Sequence, residues 1–425
     1  MSTFNSWGNF PAAADTQPQT VTSAGLLPAG IVLPRGLGRS YGDCCLNNGH
    51  TLLLTESLND ILNFEPASGI VKLGSGVSFE QLLRLCVPQG WFPPVVPGTK
   101  YVTMGGAIAN DVHGKNHHLD GTFGRHVLRF ELLRSDGSRR VCSPTENEDL
   151  YAATIGGIGL TGLIVWAEIQ LCRVASADMQ TQTVKFANVH EFLTLSDEFK
   201  DSRYTVAWVD SLATGRGLGR GHFLVGKHAE DGALQPHNAP GWRSVPCFMP
   251  GCTLNRLSVK AFNGWYYHRR RRSRQHDRVH YDPFFFPLDS LRHWNRIYGR
   301  RGFVQYQCVV QAASAKMLLE RVARSGFGSC LTVMKLFGDR PSPGMMSFPQ
   351  RGLTLSFDFP VSRRVLAFLD ELDHIVSANA GRVYMAKDAR MSQCAFEAYY
   401  PRWRDFAAYI DPAFCSDFWR RVTGG

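Results

Sequence analysis

The chain has 425 residues, 44% of them hydrophobic and 19% charged, which is enough for two domains with real cores. It contains no run of 18 apolar residues, so a transmembrane helix is not expected, and its eleven scattered cysteines form no Cys-x-x-Cys pair, which reads as reduced thiols of a cytoplasmic protein and not as a zinc site or a disulfide frame. The formal charge of +10 favours an anionic partner; no motif supports nucleic acid, so a phosphorylated substrate or an anionic membrane surface fits better.

Residues 1–20 are polar without a clear period and read as a loose terminus or a short docking segment. Ile31–Leu33 and Thr51–Leu54 read as short buried strands around a glycine-rich loop, and Ile70–Leu73 as another. Ser78-Phe-Glu-Gln81 is a capping box that opens an amphipathic helix through Cys86. Val127–Arg134 and Leu163–Leu171 read as strands, with a turn at Asp136-Gly137. Near residue 175 the glycine turns give way to aromatics and helical patterns, so residues 176–381 are expected to form a second domain. Within it, the basic run Arg269–Arg272 with Arg274 follows Trp265-Tyr-Tyr267 and precedes Phe284–Phe286. Cations beside aromatics suit a lipid headgroup region, and a solvated surface loop is the plainer alternative. Val383–Ala386 reads as a strand, followed by a basic and aromatic helical tail.

Four glycine-rich turns fall in the first 162 residues: Pro34–Asp43, Pro97–Thr99, Thr103–Gly106 and Gly156–Gly162. Glycine brings backbone amides close to phosphate, so the pattern points to a dinucleotide. The G-x-G-x-x-G match at Gly157–Gly162 is not a nicotinamide fingerprint, because Leu163-Ile-Val-Trp-Ala-Glu-Ile follows as a strand where a helix is required. His113 and His117 would converge on a metal only along a helix that Gly114 weakens, so no metal site is expected. Lys387, after a strand, reads from the residues alone as a surface partner of Asp388.

The Arg35–Asp43 loop and the block Gly105-Gly-Ala-Ile-Ala-Asn-Asp-Val-His-Gly-Lys-Asn-His-His118 resemble the flavin-binding half of vanillyl-alcohol-oxidase-type flavoproteins. Within that superfamily the decaprenylphosphoryl-ribose 2-oxidase-like enzymes are the most similar. The resemblance continues through Ala207-Trp208, Phe286–Asp289, Trp294-Asn295, Phe303–Gln307, Lys335–Gly338 and Gly381–Asp388, nearly the whole chain.

The resemblance implies an α+β protein of two domains. Residues 1–175 would bind FAD, 176–381 would hold the substrate, and 382–425 would return to the FAD-binding domain. Cofactor contacts fall on Arg35, Gly36, Leu37, Gly38, Arg39, Ser40, Tyr41, Gly42, Asp43, Gly98, Thr103, Gly105, Gly106, Asn110, Val112, His113, Ile164 and Tyr384. Arg39 stands where flavin-tethering relatives carry histidine, which implies non-covalent FAD. Lys115, Trp208, Gln305, Gln307, Lys335, Thr354 and Ser356 match substrate positions; Thr354 replaces an asparagine and Ser356 a cysteine of the polyprenyl oxidases. Lys387 approaches flavin and substrate, where a cation stabilises charge arriving with the hydride. Lys387, His113 and Tyr41 are the candidates for the base. The implied reaction oxidises a secondary alcohol of a phosphorylated or lipid-linked sugar to a ketone. A short-chain reductase partner would complete an epimerisation, and the protein would touch the membrane peripherally. An aldonolactone or soluble-sugar oxidase, and a flavin carrier without turnover, are the alternatives.

Overall fold

The computed structural model describes residues 4–22, 25–237, 243–270 and 272–424. Three sheets carry the architecture. A small parallel sheet orders Gln17–Thr20, Thr51–Leu54 and Val32–Arg35. A five-stranded antiparallel sheet orders Ile61–Glu65, Ile70–Gly74, Leu163–Gln170, Val127–Leu133 and Arg139–Cys142. Helices Phe79–Cys86 and Met104–Ala109 pack into its core, the second through Ile108, beside Phe130 and Ile164. The first of these helices carries the expected capping box: Ser78 Oγ accepts from the Gln81 amide and Gln81 Oε1 accepts from the Ser78 amide. Such a cap contributes about 1 kcal/mol.

The third sheet has eight antiparallel strands, in the order Arg274–His280, Asp178–Phe186, Gly221–His228, Tyr204–Val209, Val333–Phe337, Gly352–Pro360, Phe303–Val310 and Arg382–Val383. The Gly352–Pro360 strand shows why the sheet has two unlike faces. Leu353, Leu355, Phe357 and Phe359 alternate with Thr354, Ser356 and Asp358. The apolar set packs against helices Ala312–Ser325 and Arg363–Ala378 in one core. Each such side chain contributes about 1.5–3 kcal/mol when fully buried. The polar set is left on the opposite face, which carries the candidate site.

Three expectations change. Residues 4–20 are not loose: Ser6 is buried, the Trp7 amide donates to the Ser40 carbonyl, and Gln17–Thr20 joins a sheet. Residues 1–3 lie outside the described residues. Phe284, Phe285 and Phe286 are core side chains at or beside helix Tyr281–Phe285, so they are not interfacial aromatics. Of the expected run Val383–Ala386, Val383 alone lies in a strand, together with Arg382; the Tyr384 amide still donates to the Gln307 carbonyl, and Met385–Lys387 then turns as a short 3-10 segment. The tail beyond it packs on the first glycine loop, where Arg421 grips Asp43 and Asp388 at 2.8–2.9 Å. Arg271 lies outside the described residues.

Candidate active site

Two walls face each other. The first is the loop 36–42 with helix Met104–Ala109 and the segment 110–116. The second is the polar face of the eight-stranded sheet. Between them stands the turn that carries Lys387.

Register builds the sheet wall. Opposed residues of antiparallel strands point to the same face. Trp208 opposes Val333, Val333 opposes Ser356, and Ser356 opposes Gln307, which makes one row across four strands. Lys335 and Thr354 form the row on one side, and Asp358 with Gln305 the row on the other. All six predicted substrate positions on this sheet therefore share a face. Lys115 joins from the opposite wall: its ammonium donates to the Phe285 carbonyl at 3.1 Å. Lys335 donates to the Gly114 carbonyl at 3.4 Å. Trp208 sits at the far end, its indole donating to the Cys330 carbonyl.

A glycine sets Lys387. The Tyr41 amide donates to the Ala386 carbonyl at 2.9 Å, and a side chain at Gly42 would overlap the Asp388 carbonyl. This close approach, which needs glycine, seats the Lys387 ammonium 3.6 Å from the centre of the Tyr41 ring. Tyr41 in turn packs edge-on against Phe303.

His113 is held between three rings, Phe337, Phe348 and Tyr384, at 5.0–5.6 Å. Gln307 Nε2 donates to His113 Nε2 at 2.8 Å, which leaves the ring proton on Nδ1, a buried atom without a partner among the described residues. Burial and the nearby Lys335 charge hold this imidazole well below its ordinary pKa, so it is neutral near pH 7. Asp111, fully buried, anchors the same segment by accepting from the Gly124 amide and from Ser342 and Ser347. The Tyr384 hydroxyl donates to the Asn110 carbonyl.

The electrostatics are lopsided. Lys115, Lys335 and Lys387 are all half-buried. Burial lowers Lys115 to about 7, with Lys335 adding to the effect, and lowers Lys335 to about 8. Burial also lowers Lys387, against the charge of Asp358, and burial raises the Asp358 carboxyl, against the charge of Lys387. Gln305 donates to Asp358 Oδ1 at 2.6 Å, while Oδ2 is buried without a hydrogen-bond partner among the described residues. Three cations against one carboxylate make a pocket for an anion.

Asp358 was missing from the expected set. The alternation Thr354-Leu-Ser-Phe-Asp358 carries the signal, since a period of two puts Asp358 on the face of Thr354 and Ser356. Trp7 was missed as well; its ring stacks on the Arg39 guanidinium at 4.2 Å, with Tyr101 beyond.

The loop wall presents unsatisfied groups. The amides of Leu37, Gly38, Arg39 and Ser40 find no acceptor among the described residues. Arg39 Nε and Asn110 Oδ1 are buried and unpaired. Buried polar groups are rarely left so, and here they line one cradle with Thr103, Gly105 and Gly106. Thr103 caps the helix through the Gly106 amide. Gly98 has nothing within 4 Å of where a side chain would stand, and its loop is pinned by the buried Lys100–Asp282 pair at 2.5 Å. Val112 and Ile164 are packed in the core behind this wall. The Arg35 guanidinium is spent on the carbonyls of Asn5 and Cys45, and the Asp43 carboxylate on Arg421, so neither charge faces the cradle.

Residues 30–143 match the family model described as an FAD binding domain. The chain is 35% identical over 410 residues to decaprenylphosphoryl-beta-D-ribose oxidase of Mycolicibacterium smegmatis, covering 92% of this chain and 89% of that protein. An uncharacterized protein of Streptomyces coelicolor is 35% identical over 368 residues, covering 81% of this chain and 100% of its own length. The delta(24)-sterol reductase of Rattus norvegicus is 35% identical over 115 residues, which is 27% of this chain and 22% of that protein.

Proposed function

The chain belongs to the family of FAD-dependent oxidoreductases that includes decaprenylphosphoryl-beta-D-ribose oxidase, and from that membership we propose that it oxidises a secondary hydroxyl of a polyprenyl-phosphate-linked pentose to a ketone. The hydroxyl is taken as the one at position 2, and the ketone as the first half of an epimerisation that a separate reductase completes. The division into an FAD-binding part, 1–175 with 382–425, and a substrate part, 176–381, belongs to the same reading.

FAD, when bound, supplies the acceptor for a hydride. Leu37, Gly38, Arg39 and Ser40 would meet its acidic groups through their free amides, with Asn110, His113 Nδ1 and Tyr384 nearer the reacting end. Arg39, held between Trp7 and Tyr101, offers a fixed cation in place of a tethering side chain.

One observation carries the substrate class: three half-buried lysines, each lowered by desolvation, face one buried carboxylate around a polar sheet face. Lys115 and Lys335 are set to clasp the anionic phosphate of the substrate. Gln307, Ser356 and Thr354 line the sugar with donors and acceptors. Lys387 stays on the Tyr41 ring as the cation that balances incoming negative charge. As the C–H bond gives up its hydride, the hydroxyl proton passes to the Lys387–Asp358 pair, with Asp358 as the group whose charge is neutralised. Tyr41 is held as the neutral phenol, because burial and the Asp358 charge raise its pKa well above 10. His113 is occupied through Nε2 by Gln307.

The test is an anaerobic screen that scores loss of flavin absorbance. Bleaching by a polyprenylphosphoryl pentose and not by free sugars or aldonolactones is the expected result. Bleaching by soluble sugars alone would transfer the assignment to a soluble-sugar oxidase. No bleaching by any alcohol would leave a flavin carrier.

A further inference from the structure

Helix Arg256–His268 is amphipathic in an unusual sense. Its inner face is fixed by Val259, Asn263 and Tyr267, at i, i+4 and i+8. Asn263 donates to Asp210 Oδ1 and the Ser329 carbonyl, and the Tyr267 hydroxyl donates to the Phe186 carbonyl. The helix therefore cannot roll without breaking buried hydrogen bonds. At 100° per residue the opposite face belongs to Leu257, Ala261 and Trp265, with Phe262 beside them. Leu257 is 78% exposed, Trp265 60% and Phe262 39%. Phe248 and Met249, in the preceding segment, are exposed too. The outward face of a surface helix is normally polar, and clustered exposed apolar side chains mark an interaction surface.

Charge identifies the partner. From residue 232 to residue 276 there is no Asp or Glu, while there are eight Lys and Arg, so this stretch holds eight of the chain's formal net charge of ten. Arg256 and Lys260 belong to the helix itself, and Arg269 follows it, its guanidinium 4.0 Å from the centre of the Tyr266 ring. Arg274 is answered by Glu198 from another element, and Arg270 by Gln275. A protruding Trp and Leu, with the Arg269 guanidinium 5.8 Å from the centre of the Trp265 ring and a basic stretch without a carboxylate on either side, suits the interface of an anionic bilayer, where the indole sits at headgroup depth and the cations meet lipid phosphate.

The patch also leads inward. Trp265 adjoins Tyr266, and the Tyr266 ring lies 4.5 Å from Trp208, the end of the polar row on the sheet. We propose that helix Arg256–His268 is an interfacial helix that seats the protein on an anionic lipid surface, with Leu257, Phe262 and Trp265 inserted and the sheet's substrate face opening beside it. The role in substrate delivery rests on the lipid-linked reading above; the lipid contact itself does not.

The test uses the FAD-loaded full chain and the double variant Leu257→Ser with Trp265→Ser. Both are sedimented with vesicles of phosphatidylcholine alone and of phosphatidylcholine mixed with phosphatidylglycerol, at low and high salt. The expected result is binding of the native protein to the mixed vesicles, weakened by salt, and a loss of about tenfold or more in the variant. Flavin bleaching by a detergent-dispersed substrate is measured on the same samples and should be equal in the two proteins. Failure of bleaching in both would strike the reaction and leave the vesicle result standing. Three results overturn the helix proposal: equal sedimentation of the two proteins on mixed vesicles, no binding of the native protein, or equal binding to neutral vesicles. Self-association of the native protein that the variant loses, without vesicle binding, would assign the face to a second copy and overturn it as well.

Discussion

Replacing Asp358 with Asn keeps the side chain's shape and its acceptance from Gln305 while removing its charge. The carboxyl lies at 1% exposure on the substrate face, with Oδ1 satisfied and Oδ2 free. If Asp358 takes the hydroxyl proton, the loss should be that of a positioned general base, about 10²–10⁴ in the rate of flavin reduction, or about 3–5 kcal/mol of barrier. Stability should move little, because two effects oppose. The variant removes a carboxylate that burial disfavours, and it leaves the Lys387 cation without its counter-charge. The sign of the pH effect follows. Asp358 has a folded-state pKa above its unfolded value, so its contribution to stability is present below the unfolded pKa and is lost as pH rises through the folded one. Activity runs the other way, since the acceptor must be ionised. Native flavin reduction should therefore rise with pH along a limb that belongs to the Asp358–Lys387 pair, and Asp358→Asn should flatten it. The assay is anaerobic stopped-flow bleaching across pH, with flavin content and thermal midpoint measured on the same preparations. A variant that holds FAD, melts like the native protein and reduces at a near-native rate with the limb intact would refute the role given to Asp358.

Further outcomes follow from the same geometry. Acid precipitation should release FAD into the supernatant, because Arg39 offers no tethering nucleophile; flavin retained in the pellet would contradict this. Lys387→Ala should slow flavin reduction by about 10²–10³ while leaving a folded protein, and a near-normal rate would remove Lys387 from the mechanism. A hydroxyl is a far weaker nucleophile than a thiolate, so an electrophile directed at the pocket should leave Ser356 unmodified and label Ser356→Cys, as peptide mass spectrometry would read. Lys115 and Lys335, lowered to about 7 and about 8, lose charge as pH rises through those values. The KM for a phosphate-bearing substrate should therefore climb from neutral to alkaline pH, while that of a phosphate-free analogue stays level.

Much of this protein was legible in one dimension. Thr51–Leu54 and Phe79–Cys86 have the bounds their patterns predicted, because strand alternation and a Ser-x-x-Gln cap are local devices that act within a few residues. The glycine turns announced a cradle for the same reason: free amides and close backbone approach are properties of the loop itself. The basic run Arg269–Arg272 with Arg274 was also in plain view. What the sequence could not settle was which polar residues meet. The row Trp208–Val333–Ser356–Gln307 joins strands as much as 148 positions apart in the chain, and only the sheet order puts them side by side. The N-terminal residues looked unstructured because their order comes from partners elsewhere, Ser40, Tyr41 and Asn295. Phe284–Phe286 looked interfacial because composition cannot tell an exposed aromatic from a core one; Phe92, Tyr204 and Lys115 decide it by packing on them. Lys387 is the sharpest case. In the sequence it is one lysine beside one aspartate, and its chemistry exists only because Gly42 lets a loop about 345 residues away press against its turn, shielding the half-buried ammonium where desolvation and a single carboxylate govern its proton.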